Sequence, residues 1–320
     1  MKRTERTMDK RQKLIEIFWD TQNFYTHDQR LSDAITQAKS RTKFYESKEY
    51  PEIHAPTDNE TNINVTRHKT FEAAMKLRAE QPDWRICVLN FASAVNPGGG
   101  VKKGASAQEE SLCRCSTLYP ALTQDQLWRR YYLKNRDVHN KLHTDACIYT
   151  PDIVICKTDD DYPKRMQGTD WVTVDVISCA APNLRNRKDH SLWPEEDRFA
   201  DITLERLYDL HVKRAEHILH VAAANGADAM ILGAFGCGAF ANDPKIVARA
   251  YKDALQKYGG YFKYVEFAIY CRDWETENYD AFQKELLPYI RAFEDGAKLL
   301  TDDYMADGRP ESISSERMQL

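Results

Sequence analysis

No apolar run in the 320-residue chain approaches the ~20 residues that a membrane-spanning helix needs, so no span is expected. A surplus of one charge is missing too: 45 Lys and Arg stand against 49 Asp and Glu, a formal −4. That balance gives no general attraction to nucleic acid or to an anionic membrane, although a local basic pocket remains allowed. The eight cysteines include no two Cys-x-x-Cys pairs at zinc spacing. Scattered singly apart from Cys113 and Cys115, they are expected to be reduced, mostly buried thiols. The opening stretch "MKRTERTMDKRQKL" is charged and lacks the apolar centre of a secretory signal. These absences lead to the expectation of a cytoplasmic protein (nuclear in a eukaryote), monomeric, with no internal repeat or low-complexity block.

What is present is regular alternation. The length fits one large domain or two small ones, with a sizeable core either way. Residues 10 to 46 carry helical periodicity (Leu14, Ile15, Phe18, then Leu31, Ile35, Ala38), read as a helical N-terminal extension over 1–60 packed on the core. "YPEIHAPTDNETN" is a loop and "INVTR" a short strand. "TFEAAMKLRAE" predicts a helix with Phe71, Ala74 and Leu77 on one face and Thr70 as N-cap. "RICVLNFA" is an apolar strand, and "SLCRCSTLYPAL" and "QDQLWRRYYLKN" predict helices divided near Pro120. Apolar strands follow in "CIYTPDIVICK", "WVTVDVISCAAPN", "DAMILGAFGCGAF" and "YVEFAIYC". Helical patterns lie in "ITLERLYDLHVKRAEHILHVAAANG", stopped at Gly226, in "PKIVARAYKDALQKYGG" and in "YDAFQKELLPYIRAFEDGAKLL". Buried strands alternating with helices predict an α/β fold of three layers with a mostly parallel or mixed central sheet, over 61–300, before a polar tail at 301–320.

Two glycine loops follow apolar strands, where open α/β sheets hold ligands. The first contains Gly98, Gly99 and Gly100. A turn needs one or two glycines, so the third suggests close approach of a ligand. The second is "GAFGCGAFANDP", where Gly233, Gly236 and Gly238 let backbone N–H groups face a ligand. Asn242 or Asp243 can cap the next helix and Pro244 suits its first turn, which makes an anion site. Neither loop has the Walker A or dinucleotide spacing, and each alone is equally a tight turn. Together they favour two cradles for one diphosphate, with Phe91, Phe235 and Phe240 as apolar walls.

Glu109 and Glu110 adjoin the first loop. Helical neighbours point about 100° apart, so the two cannot flank one bond as paired glycosidase carboxylates do. At most one exchanges a proton at the reacting centre while the other binds a hydroxyl; the plainer reading is a pair of first-turn acids stabilising a helix. His139, His143 and Cys147 stand four apart and could share a helix face, with a surface helix preferred over metal binding. His217 and His220 read as helix packing.

"NFASAVNPGGGVKKGASAQEESLCR" resembles the microbial-type poly(ADP-ribose) glycohydrolases, whose signature is three glycines, a short spacer and Gln-Glu-Glu. "GAFGCGAFANDP" resembles their diphosphate loop and "VTRHKTFEAAMKLRAE" the strand and helix before the motif, so the match runs from about residue 10 to 290. The resemblance implies a macrodomain-like fold and hydrolysis of ribose–ribose bonds in ADP-ribose polymers. It needs no cofactor and no metal, and its partner is the polymer or an ADP-ribosylated protein, with ADP-ribose as product. Residue by residue it makes Glu110 the catalytic acid and Glu109 the holder of ribose hydroxyls. Asn96 then contacts the distal ribose, Gly99, Gly100 and Val101 form the first loop, and Gly236, Cys237, Gly238 and Ala239 bind the diphosphate. Phe240 orders the distal ribose. Asn90, Gly98, Gln108, Ala234 and Phe235 complete the candidate substrate-binding set. No residue is singled out to stack adenine; Tyr270, Trp274 and Phe282 are candidates for that and equally for the core. The alternatives are a module that binds ADP-ribose without cutting it, which would need no acid, and a hydrolase of mono-ADP-ribose on protein or nucleic acid.

Overall fold

The computed structural model describes residues 2–56, 61–137, 140–185 and 202–287. Two helices open the chain, α1 (Lys2–His27) and α2 (Gln29–Arg41), and strand β1 (Lys43–Tyr45) follows directly. The helical reading of residues 10 to 46 thus stops at Arg41, because β1 pairs antiparallel with a strand about a hundred residues away. Next come β2 (Asn62–Thr66), α3 (Thr70–Glu80) and β3 (Ile86–Phe91). Thr70 is the first helical residue rather than the cap. The α3 amides of Phe71 and Glu72 are instead capped from outside by the Asp159 carboxylate, at 3.0 and 3.3 Å.

The segment after the first glycine loop is α4 (Gln108–Cys115), α5 (Leu118–Leu122), α6 (Asp125–Leu127), a wider π turn (Trp128–Tyr132) and α7 (Leu133–Asp137). The expected division near Pro120 falls at Thr123 and Gln124, between α5 and α6, and a further break at Ser116 and Thr117 separates α4 from α5. Pro120 sits in the first turn of α5, where a helix has no use for its missing N–H. The remaining elements are β4 (Cys147–Ile155), β5 (Val172–Cys179), α8 (Leu204–Ala224), β6 (Ala229–Leu232), α9 (Pro244–Tyr258) and β7 (Tyr264–Ala268). Residues 277–287 are helical; the rest of that predicted helix, and the tail from 301, lie outside the described residues. Gly226 does stop α8, with φ +74.

The seven strands form one mixed sheet in the order β1-β4-β5-β3-β6-β7-β2. Five are parallel, and β4 and β1 continue the sheet antiparallel. Alternation along β3 places Cys87 and Leu89 in one core and Ile86 and Val88 in the other, as a strand covered on both faces requires. Residues of α8 and α9 fill the first core; α3, α4, α5 and Phe18 of α1 fill the second. Helices, sheet and helices therefore make three layers.

Candidate active site

Parallel pairing of β3 with β6 brings the carboxyl ends of both strands to one edge of the sheet. Both glycine loops therefore open on the same cleft, of about 1210 Å³. That is ample for a dinucleotide-sized ligand.

The first loop is shaped by the chain itself. Gly98 and Gly99 have φ of +67° and +56°, a region that favours glycine. A β-carbon on Gly98 would stand 2.7 Å from the Tyr119 ring; one on Gly99 would overlap Glu110 Oε1 and come within 3.1 Å of Glu109 Oε2. Gly100 has ordinary φ, but a β-carbon there would meet that of Ala105 at 2.9 Å. Close approach thus explains all three glycines, and what approaches is this protein's own side chains. The N–H groups of Gly99 and Val101 donate within the loop, to the carbonyls of Asn96 and Gly98. That of Gly100 donates to Glu110 Oε1 at 2.8 Å. The second loop differs: the N–H groups of Gly238, Ala239 and Phe240 have no backbone acceptor among the described residues. A β-carbon on Gly238 would meet nothing within 4 Å. Asp243 caps α9 through the Lys245 N–H, with Pro244 at its start. Asn242 does not cap. Its side chain joins His211 to the carbonyls of Pro182 and Gly236 and so braces the loop.

Both carboxylates are buried, Glu109 3 % and Glu110 7 % exposed, and both line the cleft. Glu109 accepts the Ser93 N–H at 2.8 Å and the Asn90 amide at 3.4 Å. Burial pushes its pKa up to about 8, helped by the adjacent Glu110. Glu110 Oε1 is held by Gly100, whereas its buried Oε2 has no partner among the described residues.

The cleft also takes in Asn96, Gly99, Gly100, Val101 and Gln108 on the first side and Ala234, Gly236, Gly238, Ala239 and Phe240 on the other. Four expected binding residues stand behind this wall. Asn90 is fully buried and supports Glu109 and Ser178; Gly98 packs under Tyr119. Phe235 belongs to the core against Phe91 and His211, and the Cys237 thiol turns to the carbonyl of Phe235. Gln108 faces the cleft with its amide taken up by the chain: it accepts the Phe91 N–H and donates to the Leu89 carbonyl and Thr70 hydroxyl. It locks the start of α4 to the end of β3. The Asn96 side chain accepts from Arg136 at 2.6 Å.

The sequence reading missed His143. It lies on no helix; its backbone is left-handed at φ +57, and its Nδ1 donates to the Ala181 carbonyl at 2.9 Å. Its ring lines the cleft 5.9 Å from that of Phe240. Burial holds its pKa at about 4, so it is neutral at physiological pH. Cys147 lies instead in β4, and His139 is outside the described residues. Among the described residues no three His, Cys, Asp or Glu side chains gather as a metal site. Of the adenine candidates, Tyr270 lines the cleft, Phe282 is core, and Trp274 is 78 % exposed and away from the lining.

This arrangement can be set beside known proteins. The family described as microbial-type PARG, catalytic domain, matches residues 15–158. The poly(ADP-ribose) glycohydrolase of Deinococcus radiodurans, solved in complex with ADP-ribose, is 33 % identical. That match covers 79 % of this chain and 97 % of the other, with a TM-score of 0.67. This chain belongs to the microbial-type poly(ADP-ribose) glycohydrolase family. The glycohydrolase of Thermomonospora curvata is 26 % identical over 85 % of this chain and 98 % of its own, with a TM-score of 0.69. The same enzyme bound to the inhibitor ADP-HPD gives 27 % and 0.68 over equal shares. No curated protein matches. As a member of a glycohydrolase family the chain is a glycosidase, and its seven-stranded mixed sheet with flanking helices is the architecture those relatives share.

Proposed function

We propose that this glycohydrolase cuts ribose–ribose bonds of ADP-ribose polymers and releases ADP-ribose, with Glu110 as general acid and then base. The observation that carries the assignment is the buried, unpartnered Oε2 of Glu110 in the cleft. An acceptor held out of water without a donor is costly unless a proton or a ligand completes it. Its other oxygen is fixed by Gly100, so the free one is held in a defined position. Glu109, with a pKa near 8 set first by burial, is largely neutral at pH 7. It is suited to holding ribose hydroxyls.

The diphosphate fits the second loop, where the N–H groups of Gly238, Ala239 and Phe240 have no acceptor among the described residues, and Phe240 beside His143 suits the distal ribose. Glu110 then protonates the leaving ribose oxygen as charge develops on the distal ribose, and its carboxylate takes a proton from the attacking water. Three layers and two strand-end loops support the macrodomain-like description of the fold, and eight unpaired cysteines suit a reducing compartment.

Glu110→Gln keeps the size and the Gly100 contact but removes the titrating group. Turnover on labelled polymer should fall by ~10²- to 10⁴-fold or more, with ADP-ribose affinity by calorimetry nearly unchanged. Cleavage at the wild-type rate would sink the acid–base role. A wild type that binds ADP-ribose and releases nothing from polymer would make the protein a reader.

A further inference from the structure

The first loop ends in a 3-10 turn, Val101–Lys103, that is firmly seated. Val101 is buried in the core, and Gly104 closes the turn at φ +70 against the backbone carbonyl of Arg11 in α1. Lys102 and Lys103 are exposed on this turn, line the cleft and pair with no described carboxylate. The Lys102 Nζ stands 5.4 Å from the centroid of the Tyr119 ring. Tyr119 packs under Gly98, and the next residue, Gly99, abuts Glu110. Tyr119 and the Glu110 carboxyl thus adjoin neighbouring residues of the first loop. Phe18 of α1 holds Tyr119 edge-on at 5.0 Å, whereas Phe240 of the second loop sits against His143.

The rim also carries a cluster of charges of both signs. Asp159, Asp160, Asp161 and Glu275 line it with Lys10, Lys69 and Arg272, and Lys69 is paired with Asp161 at 3.1 Å. Carboxylates outnumber cations there.

We propose that Lys102, Lys103 and Tyr119 form a subsite for the leaving side of the substrate, binding the diphosphate and base of the ADP-ribose unit next to the scissile bond. The inference rests on the glycohydrolase reading above. With the terminal unit's diphosphate on the second loop, the bond to be cut lies at Glu110. The ribose that leaves carries its own nucleotide. Next to Glu110 that nucleotide meets the Tyr119 ring and two ammonium groups with no carboxylate partner among the described residues, the combination that binds a nucleotide without reading its sequence.

The test compares the full-length wild type with the double variant K102E/K103E on two substrates. One is long ADP-ribose polymer; the other is ADP-ribose carrying a neutral aryl leaving group, which has no second diphosphate. The variant should lose about tenfold or more in kcat/KM on polymer, mostly through KM, and stay within about twofold on the aryl substrate. Its rate on polymer should depend less on salt, with a log–log slope shallower by roughly one to two for two lost phosphate contacts. An equal ADP-ribose-induced rise in Tm for both proteins shows that the terminal site is intact. Equal losses on both substrates, or no loss on polymer, would overturn the subsite. A wild type that cleaves neither substrate would overturn the glycohydrolase reading and this inference with it.

Discussion

Gly99 and Gly238 lack a β-carbon for different reasons. At Gly99 the missing atom makes room for Glu110 in a left-handed turn; at Gly238 it faces open space. Gly99→Ala should lower Tm and cut turnover sharply, because the methyl displaces the carboxylate it overlaps. Gly238→Ala should leave Tm unchanged yet weaken ADP-ribose binding several-fold. Calorimetry on both variants decides it: unimpaired binding by Gly238→Ala would remove the diphosphate from the second loop. Little of this distinction is legible in the sequence, where both are glycines after an apolar strand. The adjacent carboxylates were readable from spacing. Which of them keeps a free oxygen depends on the Ser93 and Gly100 amides, and those are positioned only by the folded loop. Gln108 sits in the signature as a candidate contact, yet its role is to lock β3 to α4, which no local pattern reports.

At the scale of elements, α1 buttresses the site. The buried Thr21 hydroxyl donates to the Arg114 carbonyl in α4 at 2.7 Å, and the buried Lys157 ammonium meets the Ile17 carbonyl and Asp20. Thr21→Val keeps the shape and leaves a buried carbonyl without its donor, a loss of about 1–3 kcal/mol. Chemical denaturation should report that loss, and kcat should fall with it because α4 carries both carboxylates. A variant as stable and active as wild type would show that α1 only covers the helix. The long strands and amphipathic helices were legible because buried strands and helix faces repeat locally. Strand β1 was not, since three residues set no period and their partner is β4, far along the chain. The additional break before α5 was not legible either, since Pro120 lies in the first turn of α5, where proline is tolerated, and gives no sign of a stop at Ser116.

For the whole molecule, stability against pH has two limits. His143 and His211 are held near 4 by burial, below their usual value of 6.5. The unfolded chain takes up protons on them first, so stability is lost as pH falls from 6.5 towards 4. Glu109 is raised from 4.5 to about 8. The native state keeps its proton longer than the unfolded chain, so this contribution shrinks as pH climbs from 4.5 to 8 and is gone above. Tm should therefore fall between pH 6.5 and 8, and Glu109→Gln should flatten that limb. An unchanged slope in the variant would clear Glu109 of responsibility. Polymer cleavage should also survive EDTA; loss with recovery on adding magnesium would overturn a mechanism built on carboxylates alone.

The pairing of β3 with β6 has a consequence in time. The carboxylates and their glycines are synthesised early, the second loop more than a hundred residues later, and the pairing of β3 with β6 sets them side by side. A nascent chain on the ribosome therefore carries Glu109 and Glu110 long before both sides of the cleft exist. A ligand that needs both loops should then bind only late in synthesis, once the second loop has emerged and the strands have paired.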